Sequence, residues 1–225
     1  MVRVNWQPAV LLVLGLLLVL SGCTGGDGEA EPGETAPSIV QPGAPGEPTR
    51  TLTPEALAEI EPPEHTAVDV RFMQGMIHHH AQALRMTALV PSRSSDDGLE
   101  LLAKRIDLSQ VTEIEQMRRW LKERGEAAPV LHRKHGHAHG AGQRLMPGML
   151  TEPQLKKLAA ARGKAFDRLF LESMIRHHEG AIQMVTELFV ADGGAEPEAG
   201  AFARHVDADQ EIEITRMRTM LAERR

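Results

Sequence analysis

The chain has 225 residues, 25 Lys+Arg against 31 Asp+Glu, a formal charge of −6, 3% aromatic residues and no tyrosine. The acid excess is local: residues 24–64 carry nine acids with Arg50 as their base, whereas residues 65–225 hold 23 Lys+Arg against 22 Asp+Glu. A near-neutral domain without a basic stripe argues against nucleic-acid binding, and a single cysteine excludes an internal disulfide or a thiolate metal cluster.

Residues 1–22 read as a signal peptide. Arg3 supplies the positive start, and Ala9 to Leu20 is an unbroken apolar run. That run falls short of the roughly 20 residues a membrane span needs and suits a signal core. It ends in "LSGC", residues 20–23, which resembles the bacterial lipobox. Cleavage there makes Cys23 the lipidated first residue, so the expectation is an exported protein, lipid-anchored to a cell membrane and facing the periplasm or the cell exterior. Residues 23–64 then form a Pro/Gly/Glu-rich tether, too poor in apolar surface to offset the entropy of ordering. One short helix is expected at "TPEALAEI", with Thr53 as cap and Pro54 at the first helical position.

Residues 65–225 form one helical domain with a His-rich inter-repeat loop at 126–150. A helix is expected from Thr66 to Val90, where Val70, Met73, Met76, Ile77, Ala83, Leu84 and Met86 keep a three-and-four spacing. "TAVD" offers a cap at its start, and Pro91 lies just past its end. A second helix spans about Leu99 to Arg124. A third runs from Thr151, in the capping-box pattern "TEPQ", to about Val190, with Gly163 as a break. A fourth runs from about Pro197 to the C-terminus. No segment alternates as a strand does, so the fold class is all-α.

The helices repeat in pairs. Phe72–Met86 aligns without gaps on Phe170–Met184 with seven of fifteen residues identical, and Leu102–Leu121 on Phe202–Leu221 with eight of twenty. A helical hairpin cannot cover its own apolar face, so two of them are expected to pack as a ferritin-like four-helix bundle with internal pseudo-symmetry.

The repeat contains the chemistry. "MIHHHAQALRM" (76–86) and "MIRHHEGAIQM" (174–184) each frame paired histidines with methionines. At about 100° per residue, Met73, Met76, His79, His80, Ala83 and Met86 share one helix face, and His78 lies outside it. By repeat, Met174, His177, His178, Ala181 and Met184 share another. Imidazole suits copper and zinc, while thioether sulfur selects copper(I). The mixed set therefore points to copper first. Gln110, Glu113, Gln210 and Glu213 recur near the inner face of the partner helices. They serve either as outer partners that orient metal ligands or as simple satisfaction of buried imidazoles. Between the halves, His132, His135, His137 and His139, followed by Met146 and Met149, form a Gly-rich tract able to wrap copper or zinc. No Glu stands three residues before a bundle histidine, which weighs against a di-iron oxidase, and no catalytic nucleophile arrangement is present.

"FMQGMIHHHAQALRM", "MPGML", "FDRLFLESMIRHHEGAIQM" and the Gln-x-x-Glu-Ile-x-x-Met segments resemble the bacterial family called domain of unknown function 305, over about residues 65–225. The resemblance implies a ferritin-like bundle, export, and envelope copper binding through Met76, His79, His80, Met86, Met174, His177, His178 and Met184. The first motif has Ala81-Gln82 where the family commonly has an acid or amide and then Gly; the second keeps Glu179-Gly180. The reading that follows is an envelope-anchored protein that buffers or sequesters copper. Its rivals are a metal-free structural or protein-interaction bundle with a polar His/Gln/Glu core, and a metal-dependent redox enzyme. Neutral imidazole ligands imply affinity that falls below about pH 6.5.

Overall fold

The structure, a computed structural model, describes residues 39–42, 46–131 and 145–224. It divides into two compact units, one up to Ile60 and one from Glu61. The signal peptide, Cys23 and His132, His135, His137 and His139 lie outside the described residues.

In the first unit, strands β1 (Ile39–Gln41) and β2 (Arg50–Leu52) pair antiparallel, with Val40 opposite Thr51. The expectation of no strands fails here. Ile39, Val40 and Thr51 are β-branched and suit extended backbone, although a lone ladder this short is marginal in water. Helix α1 (Pro54–Ala58) begins at Thr53, whose hydroxyl accepts the Ala56 N–H.

The second unit is a four-helix bundle of α2 (Ala67–Thr87), α4 (Asp97–Glu123), α6 (Gly163–Val190) and α7 (Pro197–Ala222). Two shorter helices, α3 (Val90–Arg93) and α5 (Glu152–Ala160), sit in the connections. Pro91 starts α3 instead of merely ending α2, because proline is at home in a first helical turn. α2 begins with a capping box: Thr66 accepts the Asp69 N–H, and Asp69 accepts the Thr66 N–H at 2.7 Å. The other carboxylate oxygen of Asp69 accepts the Gly194 N–H from the α6–α7 turn, which ties the hairpins together. Thr151 and Gln154 cap α5 in the same way. Gly163, with φ of 56°, turns the chain from α5 into α6.

α2 packs on α4, α6 packs on α7, and α2 meets α6 to join the two hairpins. Phe166, Phe170, Ile106, Leu99 and Leu158 fill one apolar cluster together with Met86 and Met174. Phe72, Ile77, Met117, Trp120 and Leu121 fill the other with Met73, Met76 and Met184.

Candidate metal centre

α2 and α6 run antiparallel where they touch. Gly75 faces Met184, while four residues further along α2 the His79 ring lies over the His177 ring, centroids 3.9 Å apart. These two histidines occupy equivalent places in the repeat, so their contact marks the pseudo-twofold axis. His79, His80, His177 and His178 are fully buried, as the shared apolar face requires.

The flanking helices supply the outer partners. His80 donates from Nε2 to Glu113 Oε2 at 2.5 Å, and His178 donates from Nε2 to Glu213 Oε2 at 2.7 Å. His79 donates from Nε2 to the Pro147 carbonyl at 3.0 Å. A carboxylate or carbonyl only accepts, so each of these rings carries its proton on Nε2 and keeps the Nδ1 lone pair. Among the described residues those Nδ1 atoms have no hydrogen-bond partner, and neither nitrogen of His177 has one. Both polar atoms of Gln110 and Oε1 of Gln210 are likewise buried without partners among the described residues. The described protein groups thus leave part of this polar core without hydrogen-bond partners.

Burial sets the proton affinities. Desolvation, helped by the charge of His80, pushes His79 down to about 3 against an upward pull from its bond to Pro147. Desolvation and then the neighbouring His79 hold His177 well below the ordinary histidine value. Burial alone would raise Glu113, but the hydrogen bond and charge of His80 outweigh it and leave the carboxyl below its usual value. At His79 itself, burial moves proton competition below the free-imidazole value of about 6.5.

The methionines do not converge on one point. Met86 and Met174 belong to one apolar cluster, and Met73, Met76 and Met184 to the other. Among the described residues, no three imidazole nitrogens of the core histidines converge within 4.8 Å. What the bundle presents is imidazole pairs with buried thioethers in the clusters around them.

Met146 and Met149 lie in a segment pressed onto the bundle. Met146 packs against the second cluster. The Gln82 amide pairs with Leu150, donating to its carbonyl at 3.0 Å and accepting its N–H at 2.6 Å. Gly148, with φ of 73°, lies against the backbone of α6, and a Cβ on Gly180 would stand 2.2 Å from the Pro147 carbonyl oxygen. The Gln82/Gly180 difference between the motifs is the footprint of this docking.

Two residues with ligand chemistry were not singled out from the sequence. His205 and Asp209, one turn apart on α7, bring ligand atoms within 4.8 Å of a Glu113 carboxylate oxygen. The His-x-x-x-Asp spacing was legible, but nothing in the sequence placed it beside Glu113.

The family model for the domain of unknown function DUF305 matches residues 69–221. The chain belongs to the DUF305 family. A DUF305 fragment from Deinococcus radiodurans is 34% identical, with a TM-score of 0.60, over 72% of this chain and 99% of that one. A DUF305 protein from Streptomyces coelicolor, described as secreted, is 30% identical with a TM-score of 0.59, over 70% of this chain and 92% of that one. CopM in its Cu(II)-bound form is 26% identical with a TM-score of 0.55, over 69% of this chain and 96% of that one. CopM has also been solved in a Cu(I)-bound form, 25% identical with a TM-score of 0.53 over the same shares. No curated protein matches the sequence. This DUF305 chain thus has the mainly helical fold of proteins that include copper-bound structures.

Proposed function

We propose that this protein binds copper in its bundle core and buffers or sequesters it outside the cytoplasm. The observation that carries the reading is the set of buried imidazole nitrogens without hydrogen-bond partners where α2 meets α6. Lone pairs left bare in a dry core cost stability, and a metal ion recovers that cost. Glu113 and Glu213 sit where outer partners of metal-bound histidines sit: each holds an Nε2–H and leaves Nδ1 as donor. Zinc favours closed sets of four ligands, which imidazoles arranged in pairs do not offer. Copper(I) accepts low coordination numbers, and thioether sulfur selects it. CopM, solved with Cu(I) and Cu(II), supports the choice of metal.

The test is a copper(I) titration of the full-length protein against a competing chelator. His79, His80, His177 and His178 are changed together to Gln, and in a separate variant Met76 and Met184 are changed to Leu. The second variant nearly conserves side-chain volume and should remain folded. Loss of tight binding in the histidine variant, with circular dichroism showing intact helices, supports the reading. Undiminished binding there removes the core histidines as ligands. Weakened copper(I) binding in the methionine variant adds the thioethers to the ligand set.

Export and anchoring belong to the same proposal. The apolar run up to Leu20 and the "LSGC" sequence support lipidation at Cys23, and the secreted description of the Streptomyces relative supports export. Incorporation of radiolabelled palmitate that is lost in Cys23→Ser supports the anchor; labelling that survives rules out Cys23 as its site.

A further inference from the structure

Glu113 has a second set of neighbours beside His80. The residue is 2% exposed, and its carboxylate is held by the Ser109 hydroxyl at 3.2 Å as well as by the His80 ring. His205 and Asp209 of α7 approach it from the solvent side, with His205 Nε2 3.3 Å from Asp209 Oδ2. The His205 side chain is 57% exposed and that of Asp209 35%. A groove of about 550 Å³ opens beside them, lined by Leu101, Leu108, Thr112, His205 and Glu113 among others. Lys104 and Arg105 also line it, yet among the described residues neither forms an ion pair with Glu113 or Asp209.

An exposed His–Asp pair one helical turn apart is ordinarily a surface contact contributing about 0.3–0.5 kcal/mol. The third donor changes that. Glu113 comes from a different helix, is buried, and is fixed in place by two hydrogen bonds. Two carboxylates therefore meet with imidazoles, and no Lys or Arg, as their ion-pair partners among the described residues. A cation would complete the charge balance. One imidazole nitrogen and two carboxylate oxygens, with an open side for water, suit a borderline divalent ion and offer no sulfur to copper(I).

We propose that Glu113, His205 and Asp209 form a second, solvent-facing metal site for a borderline divalent cation, zinc or copper(II). The site uses other ligands than the copper(I) core and stands or falls separately from it, although Glu113 touches both. The repeat supplies an internal contrast: the residues equivalent to His205 and Asp209 in the first hairpin are Arg105 and Ser109, so one hairpin carries the set and the other does not.

The experiment uses zinc alone as probe on the full-length chain. His132, His135, His137 and His139 are replaced by Asn so that the tract between the halves does not compete. Zinc is titrated by calorimetry while the imidazole nitrogens are followed by NMR, in this background and with His205→Asn or Asp209→Asn added; both added positions are exposed enough to leave the fold intact. The expected result is a zinc-dependent shift of the His205 ring resonances and at least a tenfold loss of affinity in each added variant. His205 resonances that stay in place at zinc saturation, or equal affinity in all three proteins, overturn the site.

Discussion

Two residues past the end of the α2 histidine pair stands Gln82; at the same place in α6 stands Gly180. The segment Met146 to Leu150 meets both. It pairs its Leu150 backbone with the Gln82 amide, sends the Pro147 carbonyl to His79, and lays Gly148 against Gly180. The hairpins therefore share a core and differ where the connector crosses. His79 donates from Nε2 to the Pro147 carbonyl, while its equivalent His177 has no such well-formed bond among the described residues. A duplicated motif has thus become an unequal one, and the inequality is written mainly in contacts to the connector backbone.

The comparison breaks most completely at Gly180. Gly180→Ala places a Cβ against backbone that has little freedom to move, so the connector should undock with a loss of about 2–4 kcal/mol in urea unfolding. Gln82→Leu attacks the other half of the same docking. It leaves the Leu150 N–H and carbonyl bare and should cost less, about 1–3 kcal/mol. A Gly180→Ala protein as stable as the natural one would show that the connector is not held there.

Acid tests the buried pair next. An unfolded histidine takes its proton at about 6.5, whereas His79 in the fold takes it only near 3. Between those values the unfolded chain binds more protons, so stability falls as pH drops through the window, by about 1 kcal/mol per pH unit for each such histidine. His177 shifts in the same direction and adds to the slope. Metal-free protein unfolded at several pH values should show this slope, and His177→Gln should reduce it. A flat profile would place the rings in contact with water.

The outer partners distinguish the halves more finely. Glu213→Gln, beside His178, should lower copper affinity about 10–100-fold. Glu113→Gln should do the same and also change zinc binding, because only Glu113 has His205 and Asp209 beside it. Equal zinc binding in both variants would erase that distinction. The smallest effect belongs to Gln110→Leu. It removes buried polar atoms that have no partners, so the metal-free protein should hold its stability or gain up to about 1 kcal/mol.

The sequence carried the fold well because helix periodicity and capping are local. Thr66 and Asp69 at the start of α2, Thr151 and Gln154 at α5, and the break at Gly163 all follow from nearest-neighbour chemistry. The site was legible only as far as faces. Periodicity put His79, His80, His177 and His178 inside, but the antiparallel pairing of α2 with α6 divides the methionines between two clusters, which a single helix wheel does not reveal. The docking of Met146 and Met149 depends on the fit between Gly148 and Gly180, residues more than thirty positions apart. Nor does residue type tell that Gln110 leaves its amide unpaired while Gln82 uses both of its ends.

The docked connector has a consequence for rates. His79 and His177 are sealed from solvent, and the Pro147 carbonyl accepts the Nε2–H of His79. On the proposed reading, an ion reaching these rings would need a local opening of the bundle, and lifting of the Met146–Leu150 segment is the opening that the docking contacts suggest. Loading should therefore reach a ceiling as copper concentration rises, and unloading should be slow even when a stronger chelator stands outside. Loosening the Gln82–Leu150 pair would raise that ceiling. On that reading, the backbone contacts that make the two hairpins unequal would also set the tempo of exchange.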